Sequence, residues 1–512
     1  MATTCDPMAA VAPFRFDNSF ARDLQGFYVR QRPAVVPAPR LLFLNESLAH
    51  ELCLDLASLD GPARAALFAG NTLPDGAEPL AQAYAGHQFG GFAPRLGDGR
   101  ALLLGEVIDR QGRRRDIAFK GSGRTPFARG GDGKAAVGPM LREVLVGEAM
   151  HALGIPTTRA LAVAATGEPV YREHALPGAV LTRVAASHIR VGTFEYHAFR
   201  GDIERLRKLA EYTIARHDPS LLATPRPFLA LLQSAAERHA ALVAQWMNVG
   251  FIHGVMNTDN MAMSGETIDY GPCAFMEAYD PTAVFSSIDR RARYAFGNQP
   301  DIACWNLGCL AQSLLPLLSA DAEQAVAMAT EVIAAFPARY RRHLLQGQRS
   351  KLGLGRGEPD DDSADVALAE DWLILLQAGR VDFTLGWRRL ADAAAGDEAP
   401  LRALFVDPRV PDAWLARWRA RCASESVGAA HDPAIAGLER AKAMRSVSPI
   451  VIARNHRVEE ALAAASDQGD LAPFQRLLIA LGRPYDEAPE LAPYALPAPA
   501  EVTARYRTFC GT

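Results

Sequence analysis

Apolar residues follow two different periods along this chain, and the change of period divides it. Between residues 100 and 120 they come in short runs or alternate. Arg100-Ala-Leu-Leu-Leu-Gly-Glu-Val-Ile and Arg115-Asp-Ile-Ala-Phe-Lys120 flank Asp109-Arg-Gln-Gly112, which predicts strand, turn and strand. A helix is expected over 139–153, with Pro139 at its start and Gly154 as its stop, followed by strands over 160–164 and 179–184. Past residue 200 the apolar residues recur at three- and four-residue steps. Pro227 to Val249, ending at Gly250, and Cys304 to Leu318 both read as helices. Ahead of the sheet pattern, residues 13–95 alternate Pro-rich stretches with short amphipathic helices such as Glu46 to Leu54. Gly353 to Asp365 reads as a charged, Gly-rich loop insertion, and the region from 396 as helical with a Pro-rich end over 489–499. Strands first and helices afterwards predict an α+β chain with a small sheet lobe and a larger helical lobe.

Composition narrows the function classes. With 512 residues, 49% of them hydrophobic, the chain can build a sizeable core. A net charge of −4 argues against a dedicated nucleic-acid binder, which would carry a basic domain or stripe. No apolar run approaches the length expected of a membrane span, and the first residues do not read as a secretory signal. Seven cysteines without zinc-ligand spacing fit a reducing compartment, so a cytoplasmic protein with no membrane partner is expected.

The chemistry concentrates in His253-Gly-Val-Met-Asn-Thr-Asp259-Asn260 and Ile268-Asp269-Tyr-Gly271. Kinase-like enzymes use an H-x-D-x-x-x-x-N loop and an Asp-Phe-Gly turn, whose Asn and second Asp hold metal. Here the loop base position is Val255. Asn260 and Asp269 offer an amide oxygen and a carboxylate, a donor pair suited to Mg²⁺. Asp259 could accept a proton, orient a neighbour or cap a turn. Lys120 at a strand end and Glu143 on the following helix form a candidate ion pair toward phosphates, or two ordinary surface residues. Two Gly-rich loops, Phe89 to Arg100 and Gly121 to Lys134, can bring backbone N–H groups close to anionic oxygens. Arg183 and Arg190 bracket the end of the last strand of the sheet lobe, where a kinase would hold adenine. If they point inward rather than to solvent, phosphates belong there and the nucleotide is turned end for end. Cys273 and Cys510 read as two free thiols or as a redox latch, and His87 as a structural histidine.

Taken with Phe16-Asp-Asn, Pro37-Ala-Pro-Arg, Tyr84-Ala-Gly-His-Gln-Phe-Gly, Leu96-Gly-Asp-Gly-Arg100, Phe119-Lys-Gly-Ser-Gly-Arg-Thr-Pro-Phe and Arg483-Pro-Tyr-Asp, these strings resemble the selenoprotein O (YdiU-type) family almost end to end. The resemblance implies a bilobal protein-kinase-like fold with N- and C-terminal helical extensions. In such a fold, inverted ATP delivers AMP to Ser, Thr or Tyr hydroxyls of proteins and pyrophosphate leaves. It further implies that Gly97, Gly99, Arg100, Lys120, Asp132, Gly133, Arg183, Arg190 and Asp269 bind nucleotide. Asn260 and Asp269 would hold Mg²⁺, or Mn²⁺ in its place; Asp259 would be the proton acceptor and Glu143 the partner of Lys120. Many relatives end in Cys-x-x-Cys or Cys-x-x-selenocysteine, but here the two positions are Arg507 and Cys510. A pairing of Cys510 with Cys273 is then the redox arrangement left. The expected divisions are 1–95, an extension packed on the core; 96–190, the nucleotide-binding sheet lobe; 191–395, the helical lobe; and 396–512, the C-terminal extension. The rival functions are a non-catalytic ATP-binding scaffold and a phosphotransferase using Asp259 as its base.

Overall fold

The computed structural model describes residues 14–355, 362–425 and 433–509. The alternating stretch around residue 110 forms the centre of its main sheet. Strands β1 (Tyr28–Arg30), β2 (Arg40–Leu44), β3 (Leu80–Gln82), β6 (Ala101–Ile108), β7 (Arg114–Lys120), β9 (Arg159–Tyr171) and β10 (Ala175–Ala185) run in the order β1-β3-β6-β7-β10-β9-β2. A short strand, β8 (Ala135–Ala136), pairs with β10, and all of these pairings are antiparallel. The turn between β6 and β7 closes as the sequence dictates. Asp109 accepts the backbone N–H groups of Gln111 and Arg113, both at 2.9 Å, the local bonding that makes Asp a turn residue.

The strands at both edges of the sheet went unforeseen. β1, β2 and β3 lie in the Pro-rich first hundred residues, and they supply both edges of the sheet. Their three to five residues are too few to show alternation. β9 and β10 also exceed the expected strands, because they continue outward as the two arms of one hairpin. A separate small hairpin, β4 (Gly86–Gln88) with β5 (Gly91–Ala93), stands off the main sheet.

One face of the sheet is covered by the helix Val137–Ala152, two residues ahead of the expected start and mostly buried. The helices Asn455–Asp467 and Ala472–Leu481 pack on that helix in turn, so the late part of the chain supports it from behind. Beyond β10 the fold is helical around Pro227–Val249, which ends at Gly250 in the left-handed conformation that stops a helix. Against it lie Phe336–Leu352 and Gln299–Leu318. The latter is a longer apolar segment than the sequence reading allowed. Phe296–Leu318 is 23 residues with a mean hydropathy of 1.2, long and apolar enough by length and composition to cross a bilayer. Polar residues such as Asp301 and Asn306 break its continuous run, so the sequence reading missed it. In the fold, half of its most apolar window is buried inside the protein. A second core gathers Trp372, Trp387, Trp414 and Trp418. The expected loop over 353–365 is helical from Asp362, and 356–361 lie outside the described residues.

Candidate functional site

Lys120 is the last residue of β7. In the register with β10 it lies opposite Leu181, and Ala118 lies opposite Arg183, so Lys120 and Arg183 project from the same face. Glu143 approaches that face from the helix Val137–Ala152. Lys120 Nζ is 2.5 Å from Glu143 Oε1 and 2.5 Å from Asp269 Oδ1. Arg183 Nη1 donates to the same Asp269 oxygen at 2.8 Å and lies 4.0 Å from Glu143 Oε2. Two cations and two carboxylates therefore share one buried cluster, the condition under which buried charges are tolerated. Burial alone would raise the pKa of Asp269, but Lys120, Arg183 and Arg190 outweigh it and hold the carboxyl well below the usual range. Asp269 also has φ +66°, a strained backbone for a non-glycine residue.

The loop before Asp269 is fixed by His253. Its Nδ1 accepts the Val255 N–H at 3.3 Å, so Nε2 carries the proton and donates to the Ile268 carbonyl at 2.9 Å. That single neutral ring ties the start of the loop to the residue before Asp269, and burial lowers its pKa. Val255, at the base position, lines the cavity with a hydrocarbon side chain. Asn260 Nδ2 donates to the Val255 carbonyl at 3.0 Å, which leaves Oδ1 available for a cation. Among the described residues Asp259 Oδ1 is buried without a hydrogen-bond partner, and burial pushes this carboxyl up to about 6. The small hairpin braces the loop from outside. His87 N–H donates to Thr258 Oγ1 at 2.7 Å, and Phe89 N–H to Asn257 Oδ1 at 3.0 Å.

Arg190 precedes the helix Val191–Phe199. Its guanidinium lies 3.6 Å from Asp98 Oδ1 and stacks over the Tyr84 ring at 4.4 Å from the centroid, while its Nε has no partner among the described residues. Burial raises the pKa of Asp98 in spite of Arg190. Asp98 and Tyr84 are site residues that the sequence reasoning passed over. Both stand inside strings it had marked, Leu96-Gly-Asp-Gly and Tyr84-Ala-Gly-His, where the glycines drew the attention. Gly97 and Gly133 have φ of +72°, and a Cβ would meet the Phe127 ring at 2.4 Å and the Gly123 backbone at 2.2 Å respectively.

A cavity of about 640 Å³ brings these pieces together. It is lined by Gly97, Gly99, Arg100, Lys120, Asp132, Gly133, Glu143, Arg183, Arg190, Asp259, Asn260 and Asp269, every nucleotide, metal and proton candidate named from the sequence. Asp132 sits at its edge, half-exposed and paired with Arg172 at 2.8 Å. The donor set suits a hard divalent cation. Asp269 is ionised, with Lys120 and Arg183 both on Oδ1, and among the described residues nothing engages the Asn260 oxygen.

Cys273 lies apart, fully buried behind the cavity. Its thiol donates to the Tyr270 carbonyl at 3.3 Å and is pushed up to about 11 by burial. Cys510 lies outside the described residues. Nearby, Thr508 holds the segment after Asp269: its Oγ1 donates to the Pro272 carbonyl at 2.7 Å, its N–H to the Phe285 carbonyl at 2.8 Å, and its carbonyl accepts Ser287 N–H at 2.9 Å. Arg142 holds the same segment from the Glu143 helix, donating to the Cys273 carbonyl at 2.5 Å. His87 is half-buried against Glu195 at 2.5 Å, consistent with a structural histidine.

Residues 11–481 match the family model described as protein adenylyltransferase SelO. The chain is 61% identical over 500 residues to the protein nucleotidyltransferase YdiU of Cereibacter sphaeroides, covering 98% of this chain and 100% of the relative. It is 61% identical over 482 residues to that of Chromobacterium violaceum, covering 94% and 98%. With that of Rhizobium etli it shares 55% identity over 506 residues, covering 98% of each.

Proposed function

The chain belongs to the protein adenylyltransferase SelO family, and we propose that the cavity around Asp269 is where it carries out that transfer. It is a nucleotidyltransferase that moves AMP onto proteins. The proposed fold reading is a bilobal, kinase-like one. Residues 96–190 form the nucleotide lobe and 191–395 the helical lobe, with 1–95 and 396–512 as extensions, in a cytoplasmic enzyme.

The observation that carries this reading is Asp269 held between Lys120 and Arg183, with Val255 at the base position and, four residues on, the buried carboxylate of Asp259, whose Oδ1 has no partner among the described residues. In a kinase-like loop the base for γ-phosphate transfer stands at position 255, and valine there has no proton acceptor. Arg183 and Arg190 present guanidinium groups where adenine would otherwise enter, and these suit a triphosphate reversed in the cleft. The α-phosphorus then faces the acceptor. Asp259 takes the proton of the incoming Ser, Thr or Tyr hydroxyl, aided by a carboxyl whose pKa burial has raised toward the working range. Lys120, Arg183 and Arg190 stabilise charge that builds on the phosphate oxygens as pyrophosphate leaves. The backbone of Gly97, Gly99 and Gly133, with Arg100 and Asp132, shapes the enclosing loops. Asp269 Oδ2 and Asn260 Oδ1 would hold Mg²⁺ or Mn²⁺, which supplies further charge neutralisation on the phosphates.

The test is transfer from ATP labelled either at the α- or at the γ-phosphate to acceptor proteins. Label arriving from α alone supports the assignment. Label from γ makes the enzyme a phosphotransferase, and label from neither makes it a nucleotide-binding scaffold.

A further inference from the structure

Arg183 is held from behind as well as from the front. Its Nη1 is spent on Asp269, and its Nε points the other way, to His188 Nε2 at 3.3 Å. A guanidinium can only donate, so His188 Nε2 must be the unprotonated nitrogen. The ring proton then sits on Nδ1, which lies 2.9 Å from Asp116 Oδ2 and donates to it. Asp116 accepts the His188 backbone N–H as well, at 2.8 Å, so the residue is gripped at two points. On its other side Asp116 Oδ1 receives Arg216 Nη2 at 2.6 Å, and Arg216 Nη1 reaches Glu106 Oε2 at 2.8 Å. Asp116, His188 and Arg183 are 2%, 3% and 3% exposed, so water does not compete for these bonds. Burial and the two nearby guanidinium groups of Arg183 and Arg190 disfavour protonation of His188, in keeping with the single neutral tautomer that the contacts demand.

We propose that His188 and Asp116 are positioning residues, a buried Asp–His relay that fixes the guanidinium of Arg183 in the orientation from which it grips the nucleotide phosphates. Among the described residues Nη2 of Arg183 has no partner, and Arg183 lines the cavity, so the relay and Asp269 leave that nitrogen for a ligand. An arginine side chain that must be ordered on binding costs affinity, and one locked beforehand does not. The relay spans β7, the end of β10 and the helix Ile203–His217. It therefore makes the orientation of Arg183 a property of the packed lobe rather than of the ligand.

This inference rests on the reading of Arg183 as a phosphate ligand, and the experiment separates the two. Mg·ATP affinity, the KM for ATP and kcat for AMP transfer are measured for the parent, Arg183→Ala, His188→Asn and His188→Gln, with melting temperatures alongside. Asn can keep the donor toward Asp116 but offers nothing to Arg183 at the Nε2 position, whereas Gln places an acceptor oxygen near it. His188→Asn is expected to weaken ATP binding and raise the KM for ATP about tenfold, the effect of losing one bond to a charged group, while His188→Gln stays within about threefold of the parent. Parent-like ATP binding by Arg183→Ala would overturn the role of Arg183 itself. If Arg183→Ala loses affinity but His188→Asn does not, the relay is only structural and the inference fails. It fails too if Asn and Gln weaken binding equally in proteins that melt like the parent.

Discussion

A Cβ built on Gly86 would stand 2.7 Å from Asp259 Oδ1 and 3.1 Å from Asp259 Cβ. The small hairpin and the proposed proton acceptor are thus in such close contact that no side chain fits between them. Gly86→Ala is expected to displace the Asp259 carboxylate and lower kcat for AMP transfer by about tenfold or more, ~1.4 kcal/mol of barrier. ATP binding, which uses other residues, should stay within about twofold by the same scale. Steady-state kinetics with titration of ATP separates the two, and an unchanged kcat would remove Asp259 from the proton-accepting role.

Removing the shared carboxylate should act differently. Asp269→Ala deletes the group on which Lys120 and Arg183 converge and the proposed metal-binding oxygen, while Lys120 keeps Glu143 at 2.5 Å. Labelling of protein from α-labelled ATP is expected to fall by at least about a hundredfold, on the order of 3 kcal/mol. The fold should persist, because one carboxylate still faces the two cations. Labelling equal to the parent would show that the metal assignment is wrong.

Lys351 predicts a dependence of stability on pH. It is 4% exposed, its ammonium lies 5.6 Å from the Trp387 ring centroid, and among the described residues no carboxylate pairs with it. Burial lowers its pKa from 10.5 to about 7. The folded state therefore binds this proton less tightly than the unfolded state. The cost of the buried charge is complete below pH 7 and is relieved as pH rises toward 10.5. Lys351→Met is expected to stabilise by about 1–2 kcal/mol at neutral pH, with a gain that shrinks in alkaline solution. Denaturant midpoints at several pH values check this, and a gain that grows with pH would contradict it.

What could be read from the sequence depended on how local the cause was. Pro227–Val249 was legible because its apolar spacing and its terminal glycine both lie within the helix, and β6 and β7 because their turn closes through Asp109. The residues named as metal, nucleotide and proton candidates stand in distinctive strings, and one cavity brings them together. The edge strands were not legible, since three residues of β1 or β3 carry no period and their pairing is decided by the sheet they join. Nor was the support behind the cleft. Asp116 meets His188 across 72 residues, Asp98 meets Arg190 across 92, and neither contact leaves a mark on the local sequence around it.

Thr508 reaches the Pro272 carbonyl, the Phe285 carbonyl and the Ser287 N–H, so one buried residue close to the end of the chain holds the segment after Asp269 at three points. Just ahead of it in the chain, Arg505 and Arg507 are exposed. In proteolytic terms this is a latch with its cleavage sites outside the lock. Trypsin can cut the Arg507–Thr508 bond, whose N–H is held by the Phe285 carbonyl, only as fast as the Thr508 contacts open, so the rate of that cut reads how often the segment beside the cleft lets go.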